Sequence, residues 1–424
     1  MKTTTLSFTL FTAIIMASCN GQVKKEDKEA LAKQPGTTVK TAIGDLTLPP
    51  PFATKSKTNR NSMVDWPEGA TPKAPEGFTV TKFADGLDNP RWTYIAPNGD
   101  IFVCESGTMT SKNQITVFRD KDKDGTFETR ETYLKGLNKP FGMLVADNHF
   151  YVANTDGLYR YPYKEAELKM SAKAVKVLEL PAGGYNNHWT RNLISNADGS
   201  KIYISVGSGS NVGENGMDKE VRRANILEIN PDGTGERIFA SGLRNPVGMD
   251  WNPGNGELWT AVNERDELGD DLVPDYITSV KQGGFYGWPY SYYGNILDPR
   301  MKGQGKDLAA KAIVPDVPVG AHTASLGLAF YDKEAFPAKY RNGAFIGQHG
   351  SWNRSKISGY KVVFVPFKND VPSGKPEDFL TGFIANEEKA EVYGRPVAVT
   401  VMNDGSLLVN DDSGNTIWKV TANK

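Results

Sequence analysis

The chain repeats one hydrophobic pattern six times. A Pro, Gly or Asn opens an apolar run, a polar turn follows, and a second short apolar run comes after it. The units run from Asn89-Pro90-Arg91-Trp92 to Ile101-Phe102-Val103, from Lys139-Pro140-Phe141-Gly142 to Phe150-Tyr151-Val152, and from Asn187-His188-Trp189 to Ile202-Tyr203-Ile204. Three more run from Asn245-Pro246-Val247-Gly248 to Leu258-Trp259-Thr260, from Ser325-Leu326-Gly327 to Ala344-Phe345-Ile346, and from Arg395-Pro396-Val397 to Leu407-Leu408-Val409. Turns such as Asn98-Gly99-Asp100, Ala197-Asp198-Gly199 and Asn403-Asp404-Gly405 suit hairpins, because these residues tolerate positive φ. Between the hairpins lie further strand-like runs, among them Ile115–Phe118, Leu158–Tyr161, Ile226–Ile229, Tyr360–Phe364 and Thr416–Val420. The pattern predicts an all-β protein, a six-bladed β-propeller over residues 75–424, with 263–322 carrying an inserted loop.

Composition agrees. The 424 residues include 43 Gly and 25 Pro, and no long amphipathic helical pattern competes with the strands. A net charge of −1 gives no electrostatic reason to expect nucleic acid. Residues 1–19 carry Lys2, an apolar run from Leu6 to Met16 too short to span a bilayer, and Ala17-Ser18-Cys19. This resembles a bacterial lipoprotein signal, which implies an exported protein held on the outer membrane, in the periplasm or at the cell surface, through lipid on Cys19. An ordinary signal peptide is the alternative. With Cys19 lipidated, Cys104 is the only other sulfur, which excludes an internal disulfide and a haem held by a Cys pair. Residues 20–74 are polar and read as a flexible tether.

In a propeller the residues just before each inner strand converge on one mouth. The repeats place Asp88, Asn138, His188 and Arg244 at matching positions, with Lys139, Asn245 and Arg395 beside them. Such a ring suits an anionic, oxygen-rich ligand with a base at hand. His188 is the candidate base, against the alternative of a structural His bonded to its loops. The acidic run Asn263-Glu264-Arg265-Asp266-Glu267 offers oxygens to Ca²⁺ or is simply a solvated loop. The aromatic stretch from Gly283 to Tyr293 reads equally as the wall of a sugar cleft and as a loop anchor. Asp120, Asp122, Asp124 and Gly125, with Glu131 at the twelfth position, fit an EF-hand spacing, although strand-like flanks favour a plain Asp-Gly turn.

Asn187-His188, the following Ala197–Tyr203, Arg244-Asn245-Pro246 and the acidic loop together closely resemble the soluble glucose and sorbosone dehydrogenases that use pyrroloquinoline quinone, in order along residues 75–424. The resemblance implies oxidation of a sugar hydroxyl or aldehyde hydrate, with electrons passed to an external acceptor, a quinone or a cytochrome. It implies His188 as general base and Arg244 contacting the quinone. It places Asn138, Asn245 and Arg395 at the cofactor, and the carbonyls of Arg265 and Asp266 on its Ca²⁺. The chain departs from the family where glucose-oxidising members supply a Lys to the quinone. Here it reads Gln348-His349-Gly350-Ser351-Trp352-Asn353-Arg354, so Arg354 or His349 is left to supply that cation. Asn187 also replaces an acidic residue beside the base. A Ca²⁺-dependent propeller lactonase and a carbohydrate-binding propeller without catalysis are the other readings that the fold allows.

Overall fold

The computed structural model describes residues 23–107 and 110–423, so the signal segment and Cys19 lie outside the described residues. Six antiparallel sheets follow one another along the chain. The first begins at Pro90–Ile95 and Ile101–Glu105, the second at Met143–Ala146 and His149–Asn154, and the third at Leu193–Ser195 and Ile202–Val206. The fourth begins at Pro246–Trp251 and Leu258–Val262, the fifth at Ala329–Phe330 and Gly343–Gln348, and the sixth at Pro396–Val401 and Leu407–Asp411. The turns inside the first, third and sixth pairs carry Gly99, Gly199 and Gly405 at positive φ, as their sequences require. The last sheet takes its outer strand from far upstream: Phe78–Ala84 pairs with Thr416–Ala422.

Apolar layers fill the space between successive sheets, and the sixth sheet packs in the same way on the first. Along Ile101–Glu105, Ile101 and Val103 face Met402, Leu408 and Ile417 of the sixth sheet. Phe102 and Cys104 face Phe150 and Val152 of the second. Each second strand is thus buried on both faces, which is why it reads as an unbroken apolar run rather than an alternation. Among the described residues no helix is long and apolar enough to cross a membrane.

The expected tether is a correction. Within it, Thr37–Thr41 and Gly44–Leu48 form a hairpin, and Ser62–Met63 pairs with Glu391–Val392. Leu48 is 2% exposed in the layer between the third and fourth sheets, with Val39, Leu46 and Phe52 packed on the same layer. These four apolar side chains lie scattered among Lys and Thr, so composition hid them. The aromatic insertion is an anchor: Tyr286, Trp288, Tyr292 and Tyr293 are buried, and the Trp288 indole N–H donates to the Asn211 carbonyl at 2.8 Å.

Candidate functional site

A cavity of about 380 Å³ opens among the strand starts of the first, third, fourth, fifth and sixth sheets. Two tiers of residues line it. One precedes the first strand of a sheet and includes Asn89, His188, Asn245, Ala324 and Arg395. The other follows the second strand and includes Gly107, Asn263, His349 and Asp412. The tiers meet through the backbone, the Ser106 N–H donating to Asn89 O and the Asn263 N–H to Asn245 O, each at 3.1 Å.

His188 is held in one tautomer. Ser208 Oγ donates to the Ser210 carbonyl at 2.6 Å, so it has a lone pair for His188 Nδ1 at 3.0 Å, and the Ser208 carbonyl accepts from the same nitrogen at 2.9 Å. Two acceptors fix the proton on Nδ1 and leave Nε2 unprotonated. Burial and the Arg244 charge hold its pKa well below 6.5, so the ring is neutral. The Nε2 lone pair accepts from the Asn187 amide nitrogen at 3.3 Å. Gly207 allows the close packing here, because a Cβ would meet His188 Cβ at 2.6 Å and collide with Asn245 Oδ1. That Asn245 oxygen is buried without a hydrogen-bond partner.

Arg244 lines the cavity with its donors already committed. It is 1% exposed, and Nε donates to Asn211 O, Nη1 to the carbonyls of Asn263 and Glu264, and Nη2 to Asn211 Oδ1 and Asp266 Oδ2, at 2.6 to 3.2 Å. A guanidinium has five N–H donors and all five are engaged, so Arg244 acts on the cavity through its charge and not by a hydrogen bond to a ligand. Asp266 also accepts from His322 Nδ1 at 3.2 Å. Burial pushes the Asp266 carboxyl up, but His322 and Arg244 outweigh it and leave it below its ordinary range.

The guanidinium groups with donors to spare are elsewhere. Arg395 donates from Nε to His349 O at 2.9 Å and from Nη2 to Gly350 O at 3.1 Å, within reach of the cavity. Arg91, which the sequence reading missed, pairs with Asp412, lies 5.5 Å over the Trp189 ring and keeps a buried Nε without a partner. His349 donates from Nε2 to Asp412 Oδ1 at 2.8 Å; burial, and then Arg395, lower its pKa to about 3, so it carries no charge.

Several expected residues lie away from the cavity. Arg354 pairs with Asp271 at 2.7 Å, and so does not supply the missing cation. Asn138 stands outside the cavity lining, as does Lys139, whose ammonium lies 5.9 Å over the Trp189 ring. Of the two carbonyls assigned to Ca²⁺, only Asp266 belongs to a residue at the cavity; Arg265 turns its buried side chain to Asp298 at 3.1 Å. In the outer acidic loop, Glu128 takes the place expected of Glu131. Oxygens of Asp120, Asp122, Asp124 and Glu128 lie within 4.8 Å of one another, while Glu131 pairs with Lys169 at 3.2 Å.

The second tier has a sequence signal in hindsight. Ser106, Asn263, His349 and Asp412 each stand just after the second strand of a sheet, where a strand buried on both faces gives way to polar residues at the mouth. Arg91 stands two residues after Asn89, inside a strand that was read only for its apolar members.

Five of six successive sheets bring residues to one polar cavity, and a neutral His and two guanidinium groups left with free donors define an all-β protein whose cavity has the parts of a proton-abstracting site. The chain belongs to the TrAA12-like family, whose model matches residues 72–282 and 295–423. An uncharacterized protein of Borreliella burgdorferi is 30% identical over 369 residues, 83% of this chain and 91% of that protein. A pyrroloquinoline quinone-dependent pyranose dehydrogenase of Coprinopsis cinerea is 22% identical over 405 residues, 81% of this chain, and the chain spans about half of that relative, 53%. A calcium structure of a Trichoderma reesei enzyme of carbohydrate-active family AA12 superposes with a TM-score of 0.70 at 20% identity, covering 83% of this chain and 97% of that one.

Proposed function

We propose that this chain is a dehydrogenase that oxidises a pyranose or related sugar with pyrroloquinoline quinone and Ca²⁺, on a closed six-bladed propeller. The observation that carries the reading is the locked His188 tautomer, with an unprotonated Nε2 at the cavity, beside a buried Arg244 charge and a partnerless Asn245 oxygen. The circular order of the apolar layers and the pairing of Phe78–Ala84 with Thr416–Ala422 support closure of the ring.

The residues fit the cofactor's chemistry. Spare donors on Arg395 and Arg91 suit its carboxylates, Asn245 suits a ring N–H or a metal, and Asn263 and Asp266 bring the acidic loop to the cavity. The quinone, when bound, supplies the hydride acceptor. His188 Nε2 takes the proton of the substrate hydroxyl while Nδ1–H stays on Ser208. Arg244, clamped by its five acceptors, lends a fixed positive field to charge that develops in the cavity. The surplus electrons pass to an external acceptor. The lactonase reading needs carboxylates free to bind metal, and here Asp266 is committed to Arg244 and His322, while burial raises Glu264 to about 7. Export with lipid on Cys19 belongs to the same proposal, as does a structural Ca²⁺ on the Asp120–Glu128 loop.

Reconstitution with quinone and Ca²⁺, followed by dye reduction against a panel of aldoses, tests the reading. Sugar-dependent reduction that chelation abolishes is expected; lactone hydrolysis with no dye reduction would replace it.

A further inference from the structure

Residues 52–60 lie across two loops that meet at the cavity mouth. Toward the acidic loop, the Phe52 N–H donates to Leu268 O at 2.7 Å, and Thr54 Oγ1 and Ser56 Oγ accept from the N–H groups of Asp270 at 2.7 Å and Gly269 at 3.1 Å. Toward the loop after Gly343–Gln348, the Asn59 N–H donates to Trp352 O at 2.8 Å and Asn59 Nδ2 to Ser355 O at 3.0 Å. The two loops are also tied directly: Glu267 N–H to Asn353 Oδ1 at 2.8 Å and Ser355 N–H to Asp270 Oδ1 at 3.0 Å.

The residue held by this brace is Trp352. It lines the cavity yet is 41% exposed, among the few large apolar side chains left so open. Solvent exposure of an indole costs free energy, and here the backbone on both sides of it is pinned rather than left to fold the ring away. Across the cavity stand hydrogen-bonding groups: His188, Asn187 and the Arg91–Asp412 pair. A ligand that matches has one apolar face of axial C–H bonds and an edge of hydroxyls. That is the chemistry of a pyranose ring.

We propose that Trp352 is the stacking platform that sets specificity for a pyranose ring and that residues 52–60 are the brace positioning it, an inference that rests on the sugar-dehydrogenase reading. Trp352→Ala should raise KM for D-glucose or cellobiose on the order of tenfold with kcat nearly unchanged, and Trp352→Phe should stay close to the wild type. The double variant Thr54→Ala/Asn59→Ala should raise KM by a smaller factor in the same way. Saturation-transfer NMR on the protein without quinone gives a second readout. Ring-face protons of the pyranose should receive saturation in the wild type and lose it in Trp352→Ala. Retained ring-face saturation in Trp352→Ala, or none from any pyranose in the wild type, would overturn the platform. A double variant equal to the wild type in both measurements would overturn the brace. Trp352-dependent saturation without sugar-dependent dye reduction would instead fell the dehydrogenase reading and leave the platform standing.

Discussion

The base is defined by what its other nitrogen does. Because Ser208 takes Nδ1–H and burial beside Arg244 disfavours the imidazolium, His188 remains a proton acceptor well into acid. The acid limb of kcat/KM should therefore fall below pH 6.5, the ordinary imidazole value, rather than at it. Asn187→Asp would place a carboxylate close to Nε2, where the amide now stands at 3.3 Å. A neighbouring anion favours the charged ring, so the folded pKa rises and the limb should move to higher pH, measured by the rate profile of the same preparation. His188→Ala should cut turnover by on the order of 10² or more while quinone affinity, read by fluorescence titration, changes little. A similar loss of quinone affinity would make His188 a binding residue instead.

At the scale of the strand ends, the site depends on how closely two tiers pack. Gly207→Ala would drive a methyl group against His188 and Asn245 together, so turnover and quinone affinity should both drop by at least about tenfold, with the melting temperature shifted by only a few degrees. Normal kinetics in the Gly207→Ala enzyme would show that the pair has room to move. Of the first tier, His188, Asn245 and Arg395 were legible in the sequence because they precede a recurring, turn-marked apolar run, whereas Asp88 was expected where Asn89 stands, its carboxylate accepting instead from the Lys112 N–H. The second tier was not legible. Asp412 and His349 follow strands whose apolar runs end without a turn signal, and their roles arise from Arg91, far away in the chain. Arg354 misled for the complementary reason: its charge was visible, while its partner Asp271 became a neighbour only through folding. The same holds for Leu48, one of four scattered apolar residues, whose buried face is supplied by two distant sheets.

Taken whole, the molecule shares every apolar layer between two sheets, so losing one sheet exposes two layers. Thermal unfolding should accordingly be a single cooperative transition by calorimetry, and Val80→Pro, which breaks the pairing of Val80 with Val420, should lower that one transition by about 5 °C or more without splitting it. Two separated transitions would mean that the sheets melt independently. Six sheets could be counted from the sequence, but the partner of Thr416–Ala422 could not, because the pairing joins the two ends of the domain. That span orders events in time during vectorial synthesis. Phe78–Ala84 emerges from the ribosome early and waits with an unpaired edge until Thr416–Ala422 has been made, so no shorter nascent intermediate completes that sheet. For a chain exported as proposed, threading a translocon unfolded, the seam doubles as a timer that keeps that sheet open until Thr416–Ala422 is through.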